Sequence, residues 1–98
     1  MANICENTFF ASSEKPENIE YISKFLIDNL EADVSEYDTY LDAYFDSKWT
    51  FPEKIMDELY KGIPDKSDVY MHCLSVEYGC LYHALHVVEP NSEGWQDV

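Results

Sequence analysis

The chain has 98 residues, 46% of them hydrophobic and 15% aromatic, which suits one folded domain and excludes a disordered chain. Twenty acidic residues face six lysines and no arginine, a net charge of −14. On a folded surface of roughly 6,000 Å² that is one excess negative charge per ~400 Å², which disfavours direct contact with nucleic acid or an anionic membrane and favours a basic protein surface as partner.

The first apolar stretch, "NICENTFFAS", is short and β-prone. "SEKPEN" follows, with Ser13 as a cap and Pro16 in a first helical turn. Ile19, Ile22, Leu26 and Leu30 then recur at helical spacing, with Phe25 beside them, and Glu20 and Lys24 form an i,i+4 pair, so the spacing predicts a helix over 16–31. "EADVSEYD" is polar and acidic and reads as a loop. "DTYLDAYFD" alternates and predicts a strand over about 39–46, with Leu41, Ala43 and Phe45 inward and Asp38, Tyr40, Asp42, Tyr44 and Asp46 outward. "WTFPEKIMDELYKG" predicts a second helix: Thr50 and Glu53 form a capping box, Ile55, Met56 and Leu59 make its buried stripe, and Gly62 ends it. "DVYMHCLSVEYGCLYHALHVVE" holds two strands that turn at Tyr78-Gly79. Their alternation groups Leu74, Val76, Leu81, Leu85 and Val87 on one face, expected to be the core side. The C-terminal "PNSEGWQDV" reads as a surface tail with Trp95 packed back. The order β-α-β-α-β-β gives a single α+β domain over 1–98, two helices on one face of a small sheet and the other face open.

No run approaches the roughly 18 apolar residues of a membrane span, and "MANICENTFF" lacks the basic-then-apolar pattern of a signal peptide. Cys5, Cys73 and Cys80 cannot all pair within one chain and none belongs to a C-x-x-C pair, so reduced thiols in a soluble, cytoplasmic protein are expected. Cys80, His83 and His86 could hold a metal on a helix, but on a strand 80 and 83 point to opposite faces, as do 83 and 86. Histidines partly buried beside core leucines are the simpler expectation, with no metal and no cofactor. No glycine-rich phosphate loop and no basic patch is visible, and nothing indicates an activated Cys-His pair, so no catalytic residues are assigned.

The acidic tract is the more specific feature. Asp28, Glu31, Asp33, Glu36, Asp38, Asp42 and Asp46 occur without a basic residue between Lys24 and Lys48. At ~3.3 Å per residue, Asp38 and Asp42 stand about 13 Å apart and Asp46 continues the line, with Tyr40 and Tyr44 between them as flat anchors. Such a row imitates a nucleic-acid backbone. The competing explanations are solubility and a charged edge strand that resists aggregation, although lysine is the usual guard of such an edge.

The early Cys5-Glu6-Asn7, Trp49 and Pro52 around the second helix, and the turn Glu77-Tyr78-Gly79 resemble, in that order and over nearly the whole chain, the ferredoxin-like domain of YubB-type proteins. The resemblance implies a ferredoxin-like fold and a phage or plasmid setting, hence the cytoplasm of a host bacterium. It supplies no catalytic residues, because the family's function is mostly unassigned. The expected function is a non-enzymatic acidic binding protein, a phage or mobile-element inhibitor of the anti-CRISPR kind. It would act as a DNA mimic on a basic, nucleic-acid-binding host defence protein, through Asp33, Glu36, Asp38, Tyr40, Asp42, Tyr44 and Asp46. The alternatives are a small metal- or ligand-binding domain using Cys80, His83 and His86, and a homo-oligomerising module whose aromatic sheet face is its interface.

Overall fold

The computed structural model describes residues 4–79 and 82–98. In chain order they form β1 (Ile4–Ser12), α1 (Pro16–Leu30), β2 (Asp33–Glu36), β3 (Tyr40–Lys48), α2 (Glu53–Gly62), a short 3-10 turn (Lys66–Asp68), β4 (Tyr70–Glu77), β5 (Tyr82–Val88) and β6 (Gln96–Asp97). The six strands make one sheet in the order β2-β3-β1-β4-β5-β6, every neighbouring pair antiparallel. Its first four strands and the helices form two interleaved split β-α-β units: β3 lies between β1 and β2, and β1 between β3 and β4. That is the ferredoxin-like arrangement, extended at the β4 edge by β5 and β6.

One face of the sheet is covered. Phe9 and Ala11 of β1, Leu41, Ala43 and Phe45 of β3, and Met71, Cys73 and Val88 of β4 and β5 meet Ile19, Ile22 and Leu26 of α1 and Met56 and Leu59 of α2 in a single buried core. Helix α1 ends at Glu31, which adopts a left-handed φ of 51°. The Glu31 and Ala32 amides then donate to Ile27 and Leu26 carbonyls, which satisfies the last turn. The expected capping box of α2 is not formed. Its N-cap is Pro52, Thr50 Oγ1 donates to the Phe51 carbonyl, and no side chain caps the helix. Gly62 is the last residue of α2, and its lack of a side chain matters for space: a Cβ there would run into the Tyr21 ring of α1.

Three further sequence-based expectations need correction. The acidic segment read as a loop contains β2, whose ladder to β3 satisfies a backbone that its polar side chains give no apolar reason to order. The C-terminal segment packs Trp95 back as expected, but it is not a surface tail. Trp95 donates from Nε1 to the Met56 carbonyl (2.8 Å) and its ring lies against Phe9 and Phe51, which brings Gln96 and Asp97 onto β5 as a sixth strand.

The third correction concerns the last hairpin. Leu74, Val76, Leu85 and Val87 do share a face, but it is the open one; Leu81 lies outside the described residues. The covered side of β4 holds Met71, Cys73, Ser75 and Glu77 instead. The reason is a buried polar knot. Asn7 Nδ2 donates to the Phe45 carbonyl (3.2 Å) and Ser47 Oγ (2.9 Å), while Asn7 Oδ1 accepts from Ser75 Oγ (2.6 Å). With its polar atoms paired, this end of the core needs no leucines.

Candidate functional site

Residues paired across a ladder project to the same side of the sheet, so the registers lay out the open face as rows. One row runs Asp33, Tyr44, Thr8, Leu74, Leu85 across β2, β3, β1, β4 and β5. The next runs Ser35, Asp42, Phe10, His72, Val87. On the other side lies Asp46, Glu6, Val76, His83. The face is therefore divided. Its β2-β3-β1 half carries Asp33, Asp42, Asp46 and Glu6 around the exposed Tyr44, while Phe10 of β1 and the β4-β5 strands form a mainly apolar half that also holds His72 and His83.

Tyr40, Asp42, Tyr44 and Asp46 occupy the outward row of β3 as expected, and Asp33 joins them from β2. The other two expected residues do not. Glu36 pairs with Leu41 and so projects to the helix side, exposed because β2 is the sheet edge. Asp38 lies in the bend between β2 and β3, off the strand row. Strand β3 is also internal, flanked by β2 and β1, so the reading of its charges as guards of an exposed edge is excluded.

Glu6 was missed by sequence reasoning. It stands directly opposite Asp46, and like charges facing each other across a ladder destabilise it. The available signal was the alternation of "ICENTFF", which places Glu6 on the face opposite Cys5, Asn7 and Phe9. What it lacked was the β1–β3 register.

The apolar half holds Phe10, Leu74, Val76, Leu85 and Val87, with Leu74 43% exposed. Aromatic rings pin one another along its upper end. Tyr37 stacks on Tyr40 (centroids 4.5 Å apart, planes at 17°), Phe10 stacks on His72 (5.3 Å), and Tyr70 Oη and His72 Nδ1 are hydrogen-bonded at 3.0 Å. Side chains held in this way have lost their rotamer freedom already, which lowers the cost of binding.

The histidines and cysteines do not converge on this face. His83 is exposed on it, whereas His86, on the opposite face of the sheet, is buried against Phe51 with ring centroids 3.8 Å apart; Cys80 lies outside the described residues. Among the described residues no three His, Cys, Asp or Glu side chains come together to hold a metal.

Beneath the sheet, Cys73, His86 and Asp97 are paired in a row across β4, β5 and β6, and His86 Nε2 meets Asp97 Oδ1 at 2.8 Å. The row has the composition of a nucleophile, base and orienting acid, but not the geometry. Among the described residues His86 Nδ1 has no hydrogen-bond partner, Cys73 Sγ is directed to Asn7 and Ser75, and burial pushes the Cys73 thiol up to about 12. A fully buried thiol with that pKa is not a thiolate at neutral pH.

Compared with known proteins, the chain matches no family model, no curated protein and no solved structure.

Proposed function

We propose that this chain is a non-enzymatic binding protein whose open sheet face occupies the basic, nucleic-acid-binding surface of another protein. The observation that supports this most is the divided face. Four carboxylates, Glu6, Asp33, Asp42 and Asp46, surround Tyr44 beside a mainly apolar half formed by Phe10 and the open-face residues of β4 and β5. Carboxylates steer a basic partner and set its orientation, while desolvated aromatic and aliphatic area holds it. The Glu6–Asp46 opposition favours a role in binding over simple solubility, because solubility needs no like charges face to face and stability is better served without them. The setting of YubB-type proteins extends the proposal to a phage- or plasmid-borne DNA mimic of the anti-CRISPR kind that blocks a host defence protein in the cytoplasm.

The homo-oligomer reading draws on the same apolar half. A face-to-face dimer would bring together two chains of net charge −14, which weighs against it at low salt. Light scattering at two concentrations separates the readings: a monomer at both is expected, and a concentration-dependent dimer would favour the interface between copies. The binding proposal is tested by capturing the partner from host lysate on the immobilised chain and challenging the complex with duplex DNA. Displacement by DNA is expected, and a complex indifferent to excess DNA would overturn occupation of a nucleic-acid groove.

A further inference from the structure

At the upper end of the open face, Tyr40 of β3 and Tyr70 of β4 are both paired with Ser12, the last residue of β1 between them. A small residue between two large ones leaves a notch. Phe10 closes it behind, with its ring 6.2 Å from Tyr40 and 6.3 Å from Tyr70, and Glu14 and Asp68 stand on the rim. The open cavity measures about 360 Å³, within the ~300–1,000 Å³ of ligand sites.

Its walls are fixed before anything binds. Tyr40 is stacked on Tyr37, Tyr70 is tied to His72, and Asp68 is held because its Oδ2 accepts from the Glu14 amide (3.1 Å) and its carbonyl accepts from Ser13 Oγ and Asn18 Nδ2. No lysine lines the notch, and the chain has no arginine to fill it. Two carboxylates outweigh the roughly half positive charge of the nearby α1 N-terminus. Ring faces beside carboxylates suit a planar cation, which stacks on tyrosine and is bonded by a carboxylate at its edge. A compact, strongly hydrated ammonium uses the ring faces less well.

We propose that this notch receives an arginine side chain of the partner, as the anchor that sets the register of the acidic row against the basic surface. The assignment rests on the binding reading above, but its test does not need the partner. The probe is N-acetyl-arginine amide, titrated into the isotope-labelled chain and followed by NMR, with the lysine and the neutral citrulline analogues alongside. Saturable shifts at Ser12, Tyr40 and Tyr70 are expected with arginine, weaker with lysine and absent with citrulline. Tyr40→Leu should abolish them and Tyr40→Phe retain them, and Glu14→Gln should weaken binding by up to about fivefold, as for one exposed ion pair.

Equal shifts with citrulline, no saturable shift with arginine, or shifts unchanged in Tyr40→Leu would each overturn the notch. The two readings fail separately. An empty notch in a chain whose captured partner is still displaced by DNA removes only the arginine anchor. An arginine-binding notch in a chain whose complex ignores DNA removes only the groove mimicry.

Discussion

Glu6 and Asp46 face each other across the β1–β3 ladder with no lysine paired to either. Such an arrangement costs stability, so Glu6→Gln should stabilise the fold by up to about 1 kcal/mol, and the gain should shrink as salt is added. Denaturant titration at two ionic strengths checks both statements. Asn7 stands at the opposite extreme, buried with its amide donating to Phe45 and Ser47 and its carbonyl oxygen accepting from Ser75. Asn7→Ala removes the hydrogen bonds to the Ser75 hydroxyl, the Ser47 hydroxyl and the Phe45 carbonyl from the buried knot, and should cost about 2–3 kcal/mol in the same titration.

Cys73 adds a pH effect of definite sign. Its thiol is raised from 9.0 to about 12 by burial, so between those values the unfolded chain loses a proton that the folded chain keeps. The unfolded state then binds fewer protons, and stability must fall as pH rises through that window while being fully present below it. Cys73→Ser removes this group, and comparing the two pH–stability curves above pH 9.0 isolates its share. At neutral pH a thiol reagent should reach Cys73 only on unfolding.

At the scale of elements, legibility followed the hydrophobic period. Helix α1 was legible because Ile19, Ile22 and Leu26 fall on one stripe, and all three are buried. Strand β3 was legible because Leu41, Ala43 and Phe45 alternate with charge, and the outward row of Tyr40, Asp42, Tyr44 and Asp46 followed from it. Strand β2 was not, since Asp33-Val34-Ser35-Glu36 has one apolar residue and is ordered by the ladder it completes. The side of β4 was misread for a related reason. Counting apolar residues favours Leu74 and Val76, but the covered positions are filled by Cys73 and Ser75, which the Asn7 knot makes tolerable. Which strands are neighbours, and so the placement of Glu6 in the acidic half, is a property of the register and not of any local pattern.

Two element-level outcomes follow from the packing. Gly62→Ala forces the Tyr21 ring aside where α1 and α2 meet, and should cost about 1 kcal/mol or more. Trp95→Ala removes the ring that rests on Phe9 and Phe51 together with the bond to the Met56 carbonyl, and should cost about 3–5 kcal/mol. Hydrogen exchange should then show β6 released first, because Trp95 is what brings Gln96 and Asp97 back to β5.

For the molecule as a whole, the net charge of −14 opposes compaction. Raising salt from about 0.01 to 0.15 M shortens the screening length from about 30 to 8 Å, so the thermal midpoint should rise over that range. A flat midpoint would mean that the acids are far enough apart to ignore one another. Net charge alone cannot explain binding through one face. The direct measurement compares two triple variants of equal charge against the captured basic partner across a salt series. Glu6→Gln, Asp42→Asn and Asp46→Asn together remove three of the four carboxylates of the open face; Glu20→Gln, Asp57→Asn and Glu58→Gln together remove three from the helices. The face variant should bind more weakly, mainly through slower association and with a flatter salt dependence, while the helix variant stays close to the parent. Equal losses in both variants, or none in the face variant, would contradict the claim that this protein works through the open face of its sheet.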